Sequence, residues 1–244
     1  MNKKLVLILR FYETEGPGYL ADFLIQNSIQ YQLIKIDQME NVPESISDYA
    51  GLVLMGGPMS VNDNLPWIDK VIMLIQQAIR SDVPVLGHCI GGQLMSKALG
   101  ATVKKNTRKE IGWFSVKTQR NNSQEIQESQ KWFTDLSEFD VFHWHGETFE
   151  LPKNAVHLLS NQNCQYQAYS YLEKHIAFQC HIEMTPLMVK DWVSNGMAEI
   201  ENEKNKESIQ MPELIFDNLL IKCDRLNQLA NRVYGFWIKG LRFY

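Results

Sequence analysis

The stretch Pro84-Val-Leu-Gly-His-Cys-Ile-Gly-Gly-Gln93 constrains this chain more than any other. Residues 83–87 form a short apolar run without alternation, which predicts a strand buried on both faces. Gly91 and Gly92 then thin the backbone, and Gln93-Leu94-Met95 opens a helical pattern that covers 94–99. One thiol, Cys89, falls at the strand-to-helix turn. Such a turn needs small neighbours and lifts its side chain out of the sheet, which is the layout of a nucleophile elbow. Unpaired N–H groups and the positive end of the helix dipole behind the sulfur favour its thiolate. The competing reading is a buried structural cysteine in a β–α turn.

A nucleophilic thiol needs a base, and the chain has six histidines: His88, His143, His145, His157, His175 and His181. The run Ile176-Ala-Phe-Gln-Cys-His-Ile-Glu-Met-Thr-Pro186 predicts a buried strand that reaches His181 and stops before the proline. His181 and Glu183 are two apart, so in extended chain they point to the same face. That supplies a base and a carboxylate able to fix its tautomer and stabilise the imidazolium. With Cys89 they complete a Cys-His-Glu set.

These residues carry a family resemblance. Gly87-His-Cys-Ile-Gly-Gly-Gln93 resembles the G-x-C-x-G-x-Q signature of class I glutamine amidotransferases, and His181-Ile-Glu183 resembles their H-x-E at a similar distance downstream. Gly56-Gly-Pro-Met-Ser60 is similar to the loop that supplies their oxyanion hole. Trp144-His-Gly-Glu147 is similar to the segment that holds the amino-acid end of their substrate. Within the family the pattern is most similar to the stand-alone, GMP-synthase-like proteins. The resemblance spans about residues 5–195 and fades beyond.

The resemblance implies a flavodoxin-like three-layer α/β/α fold with a mostly parallel central sheet. Residues 1–195 would form the amidotransferase domain, and 196–244 a helical extension packed on it. It implies hydrolysis of the glutamine side-chain amide through a cysteinyl γ-glutamyl thioester, with Cys89, His181 and Glu183 catalytic. Backbone N–H groups of Gly57 and Ile90 would hold the oxyanion. Gln93, Trp144, His145, Gly146 and Glu147 would bind substrate, the loop mainly through its backbone. No cofactor is implied. The ammonia would go to an acceptor or to an acceptor-activating synthetase partner. No G-x-x-x-x-G-K-[ST] loop is present, so GMP synthesis by this chain alone is not expected. Two alternatives stay open: a γ-glutamyl peptide hydrolase using the same triad, and a non-enzymatic binding or regulatory protein on the same scaffold. A pure scaffold has no need to keep all three residues.

Composition narrows the rest. A net charge of −4 offers no basic footprint, so neither nucleic acid nor an anionic membrane is an expected partner. Cys89, Cys164, Cys180 and Cys223 form no close-spaced framework, which fits reduced thiols in a cytoplasm. Leu5-Val-Leu-Ile-Leu9 is too short for a signal sequence and lacks a cleavage site, so it reads as the first strand. No stretch approaches the ~20 apolar residues of a membrane span.

Strands over 5–9, 31–36 and 52–55, with helices over 20–26 and 67–81, precede the Cys89 strand. Residues 37–49 read as loop. This order of buried strands implies a parallel sheet covered on both faces. Ligands of such sheets bind at the carboxyl ends of strands, where Gly57, Cys89 and His181 fall. Beyond 99 the pattern predicts short strands of mixed direction over 102–105, 113–118, 141–144, 156–159 and 167–171. Residues 120–130 read as an exposed polar connection. A helix follows over 186–193, then a charged, mobile stretch over 199–207. From Pro212 a last helix carries Leu214, Ile215, Leu219, Cys223, Leu226 and Val233 on one stripe, and an aromatic tail over 236–244 packs on the domain. His143 and His145 invite a metal reading, but no further ligand stands at a supporting spacing. His157 and His175 read as surface positions, and Cys180 as core.

Overall fold

The computed structural model describes residues 4–243. The first three residues and Tyr244, which closes the aromatic tail, lie outside the described residues. Chain order is β1 (Leu5–Arg10), α1 (Tyr19–Gln26), β2 (Tyr31–Lys35), β3 (Tyr49–Leu54), α2 (Ile68–Arg80), β4 (Val85–His88), α3 (Ile90–Ala98) and β5 (Val103–Thr118). Then follow α4 (Ser123–Phe133), β6 (Glu138–Phe149), β7 (Val156–Ser160), β8 (Ala168–Tyr171), β9 (His175–Phe178), α5 (Pro186–Glu203), α6 (Pro212–Phe216) and α7 (Leu219–Trp237). The strands form one mixed sheet in the order β2-β1-β3-β4-β9-β8-β7-β5-β6. From β2 to β9 the neighbours run parallel, and from β9 outward each pair is antiparallel.

Alternation along β1 shows why the sheet is covered twice. Val6 and Ile8 face a core shared with α1, α4, α5 and α7, whereas Leu7 and Leu9 face a second core built with α2 and α3. Both sets are fully buried, which is why the strand reads as a continuous apolar run. The result is the flavodoxin-like three-layer arrangement, with helices at the C-terminus.

The topology puts β4 and β9 side by side, with His88 opposite Phe178. Cys89 follows the first strand, and the segment bearing His181 and Glu183 follows the second. Helix α3 packs hard behind this junction. A Cβ on Gly91 would stand 2.2 Å from the Leu54 carbonyl oxygen, and one on Gly92 would stand 2.6 Å from that of Phe178. Any side chain at either place would push the helix off the sheet.

Several sequence expectations change. Residues 120–130 are mostly exposed as expected, but they are no mere connection: α4 covers most of them. Asn122 caps its start by accepting the Glu125 N–H at 2.9 Å, and the Glu125 carboxylate accepts from Asn121 N–H. Its far end buries Trp132 and Phe133 completely, and a buried Phe contributes about 1.5–3 kcal/mol. The strands expected over 102–105 and 113–118 are one long strand, β5, with an irregular register between Lys105 and Glu110. The charged stretch from 199 is helical as far as Glu203, where Lys206 pairs with Glu203.

The final helix is two helices, parted at Asn218 with φ 51°. Leu214 therefore leaves the buried stripe and is 59% exposed. His175 is buried rather than at the surface, and its Nδ1 accepts the Val85 N–H at 3.1 Å. The described part of the tail does pack: Trp237 is in the core and Phe236 meets Trp132 edge-on. Among the described residues no helix is long and apolar enough to cross a membrane.

Candidate active site

Cys89 caps α3 with φ 49° and ψ −110°, a conformation that non-glycine residues rarely adopt. Its N–H is tied to the Phe178 carbonyl on β9 at 2.8 Å, and its carbonyl accepts the Gln93 N–H at 3.0 Å. These two bonds hold the strained turn and aim the sulfur into a cavity of about 660 Å³, a volume typical of small-molecule sites. Gly57, Gln93, Trp144, His145, Gly146 and Glu147 also line that cavity.

His181 is fully buried. Its Nδ1 lies 2.6 Å from Glu183 Oε1, and Nε2 has no hydrogen-bond partner among the described residues. Its N–H bonds to the Phe142 carbonyl, so the segment leaves β9 and joins β6. Trp192 of α5 stands edge-on to the ring, with centroids 4.8 Å apart. Burial resists charge on Glu183, but His88 and His181 overcome it and hold the carboxyl below its ordinary range.

One sequence expectation is reversed. The thiol of Cys89 is not depressed: burial, then the charges of Glu15 and Glu183, push it well above its ordinary value. The Ile90 N–H facing the sulfur offsets this only in part. Helix-terminal N–H groups act within one turn, whereas desolvation of a dry sulfur outweighs them. Cys89 therefore rests as a thiol, and any attack by its sulfur would need a base to take the proton.

The residues expected to bind substrate are more committed than their sequence suggested. Gln93 donates from Nε2 to Gln179 Oε1 at 3.2 Å, and Gln179 in turn reaches Cys89 Sγ at 3.7 Å. The Trp144 carbonyl lies 4.0 Å from Sγ, while its indole N–H donates to Glu199 of α5 at 2.8 Å. Glu147 accepts from Ser60 Oγ at 2.8 Å, which ties this loop to the Gly56–Gly57 loop.

The His145 ring, at the edge of the cavity, is bound to Glu110. That carboxylate is fully buried and accepts from His145 Nε2 at 3.0 Å, Gln167 at 2.7 Å, Asn161 at 2.6 Å and Asn163 at 3.2 Å. Burial would raise Glu110, but His143, His145 and the Asn161 amide hold it at about 2. Glu110, His143 and His145 do bring three potential ligand atoms within 4.8 Å of one another. Three amide groups already point their N–H bonds into this carboxylate, which suits an anion anchor for the 144–147 loop better than a cation site.

Sequence reasoning missed Glu15, Gln179 and Glu110. Glu15 and Glu110 meet the site across the fold and stand in no local motif, whereas Gln179 lies two residues before His181 and reaches Cys89 only because β9 pairs with β4. Glu15 lies beside the thiol and imidazole: a Cβ on Gly56 would fall 1.9 Å from its Oε2 and 3.1 Å from His181 Cε1. Burial, helped by the charge of Glu183, pushes the Glu15 carboxyl from 4.5 up to about 8. It is therefore neutral at pH 7 and gains its charge only as pH rises through about 8. Its share in raising the thiol therefore sets in only there, so Cys89 alkylation should lag above pH 8. Glu15→Gln is expected to remove the lag and leave the rate at pH 6–7 nearly unchanged. Iodoacetamide rate profiles of the two proteins check this, and superimposable profiles would refute it.

A family model, glutamine amidotransferase class-I, matches residues 19–199. The chain belongs to that family. It is similar to the glutamine amidotransferase-like protein YfeJ of Salmonella typhimurium, at 28% identity over 70% of this chain and 72% of that protein. It is also 30% identical to the GMP synthase of Wigglesworthia glossinidia brevipalpis, where the match covers 55% of this chain but only 26% of the synthase. Among solved structures, the glutamine amidotransferase of Methylobacillus flagellatus superposes with a TM-score of 0.94. The two share 38% identity, covering 100% of this chain and 97% of that one. A glutamine amidotransferase from Thermotoga maritima gives a TM-score of 0.84 at 25% identity, covering 98% of this chain and 100% of that one.

Proposed function

We propose that this protein hydrolyses the side-chain amide of glutamine through a γ-glutamyl thioester on Cys89. The observation that carries the reading is Cys89 on its strained turn, one strand away from a His181–Glu183 pair 2.6 Å apart, both at carboxyl ends of the sheet. His181 Nε2 takes the thiol proton as the sulfur attacks the amide carbon. The N–H groups of Gly57 and Ile90 hold the oxygen of the tetrahedral intermediate. The C–N bond then breaks, His181 returns the proton to nitrogen, and ammonia leaves. Water attacks the thioester with His181 again as base; glutamate departs and the sulfur recovers its proton. Glu183 holds the ring in the tautomer that leaves Nε2 free to accept. Gln93 and the 144–147 loop grip the amino-acid end.

In this reading residues 1–195 carry the chemistry and 196–244 are a helical extension packed on them. The ammonia passes to an acceptor or to a synthetase partner, and the four free cysteines suit a reducing cytoplasm. A second reading rests on the cavity itself. It continues past Trp144 along Asn106, Thr107 and Asn195, with room for a leaving amine larger than ammonia. A γ-glutamyl peptide or amine would use the same three residues. The deciding experiment is glutamate release by the purified protein from glutamine and from a panel of γ-glutamyl amides. Glutamine hydrolysis that is lost with Cys89→Ala supports the first reading; release only from the larger amides selects the second, and release from none overturns both.

A further inference from the structure

Glu183 offers two oxygens, and His181 takes one. The other, Oε2, has no hydrogen bond among the described residues, but His88 Nε2 stands 3.4 Å away. The same Nε2 lies 3.1 Å from the Tyr234 hydroxyl. All these side chains are at most 1% exposed. Tyr234 belongs to α7, beyond the last residue matched by the family model, and its ring packs edge-on against Phe23 of α1.

We propose that His88 is a positioning residue for Glu183, and that α7 serves the active site by fixing the His88 ring through Tyr234. The inference rests on the triad reading above. A carboxylate oxygen can only accept, so the geometry calls for the His88 proton on Nε2, facing both Oε2 and the hydroxyl. Among the described residues His88 Nδ1 has no hydrogen-bond partner, which leaves the tyrosine as the polar group that sets the ring's rotation. Without it the ring is free to turn, and the buried Glu183 Oε2 loses the imidazole nitrogen that stands 3.4 Å away. The C-terminal extension thus reaches the back of the catalytic histidine through a hydrogen bond between Tyr234 and His88 and a 3.4 Å contact from His88 to Glu183.

The test follows Cys89 alkylation by iodoacetamide against pH, alongside glutamine turnover, in His88→Phe, His88→Gln and Tyr234→Phe. Titratable groups facing Glu183 are His181, His88, Glu15, Cys89, Cys180 and Tyr234, with Tyr19 of α1 beyond Tyr234. His88 holds the Glu183 carboxyl down, so removing it lets that carboxyl rise, and the acid limb of the alkylation profile moves to higher pH.

His88→Phe is expected to lower kcat about ten-fold at unchanged KM, well short of the ~10⁴-fold that loss of an orienting carboxylate can cost. Tyr234→Phe should give a smaller loss and a shift in the same direction. His88→Gln, which keeps a donor, should recover most of the rate. In a Glu183→Gln background neither His88→Phe nor Tyr234→Phe should lower the rate further. Val233→Ala, an apolar truncation in the buried face of the same helix, should lower the melting temperature and leave the profile in place. Unchanged profiles, full additivity with Glu183→Gln, or the same shift in Val233→Ala would each overturn the proposal. Alkylation does not need glutamine, so a protein that fails to hydrolyse glutamine but shows the coupled shifts separates the two ideas.

Discussion

Replacing Cys89 with alanine should remove glutamine turnover by a factor on the order of 10⁶, the loss seen when an enzyme of this logic is deprived of its nucleophile. No acyl-enzyme can form, and the remaining binding groups hold a substrate they cannot open. The companion measurement uses a glutamine analogue carrying an electrophile in place of the amide. It is expected to label Cys89 and spare the other three cysteines. Cys89 is the one whose sulfur borders the cavity. Burial pushes Cys164 up to about 12 and Cys223 up to about 11, and drives Cys180 well above its ordinary value. Cys89 is also a raised thiol, so its selective labelling depends on the site's base and on analogue binding. Peptide mapping that placed the adduct mainly on Cys164, Cys180 or Cys223 would end the assignment, as would near-normal turnover in Cys89→Ser.

The second large effect is expected from Glu183→Gln. The carboxylate oxygen 2.6 Å from His181 Nδ1 demands a proton on that nitrogen, which leaves Nε2 bare to accept from the thiol. A glutamine amide can present N–H instead, and the proton then settles on Nε2, the wrong side for a base. The comparable change in serine proteases lowers turnover about 10⁴-fold through this tautomer error. The same order is expected here, with residual activity remaining because the nucleophile and oxyanion donors persist. Residues that act as one unit are strongly non-additive. Glu183→Gln should therefore add almost nothing to Cys89→Ala. Turnover indistinguishable from the parent would show that something other than Glu183 orients His181.

Both halves of the candidate site were visible in local sequence. Cys89 announced itself locally: an apolar run, a break and two glycines define the turn without help from elsewhere. His181 and Glu183 were equally local, since a spacing of two in extended chain puts both on one face. The capping pair Asn122 and Glu125 also lay in plain view, yet the polar, glutamine-rich face of α4 masked it. The helix is held by Trp132 against Phe236 of α7 and by Phe133 against Phe139 of β6 and Phe178 of β9, contacts that local periodicity does not register.

What the chain by itself determined was the set of groups proposed for the chemistry and the strand ends that carry them, because those depend on neighbours one to four residues apart. Tertiary structure alone decided their electrostatic setting. The thiol's elevation comes from desolvation and from Glu15 and Glu183, both far from Cys89 in sequence. The Glu110 anchor gathers side chains from β5, β6 and the turn after β7. Tyr234 meets His88 across 146 residues. Burial and distance between remote groups arise only when the layers close, and no spacing along the chain encodes them in a form that can be read locally.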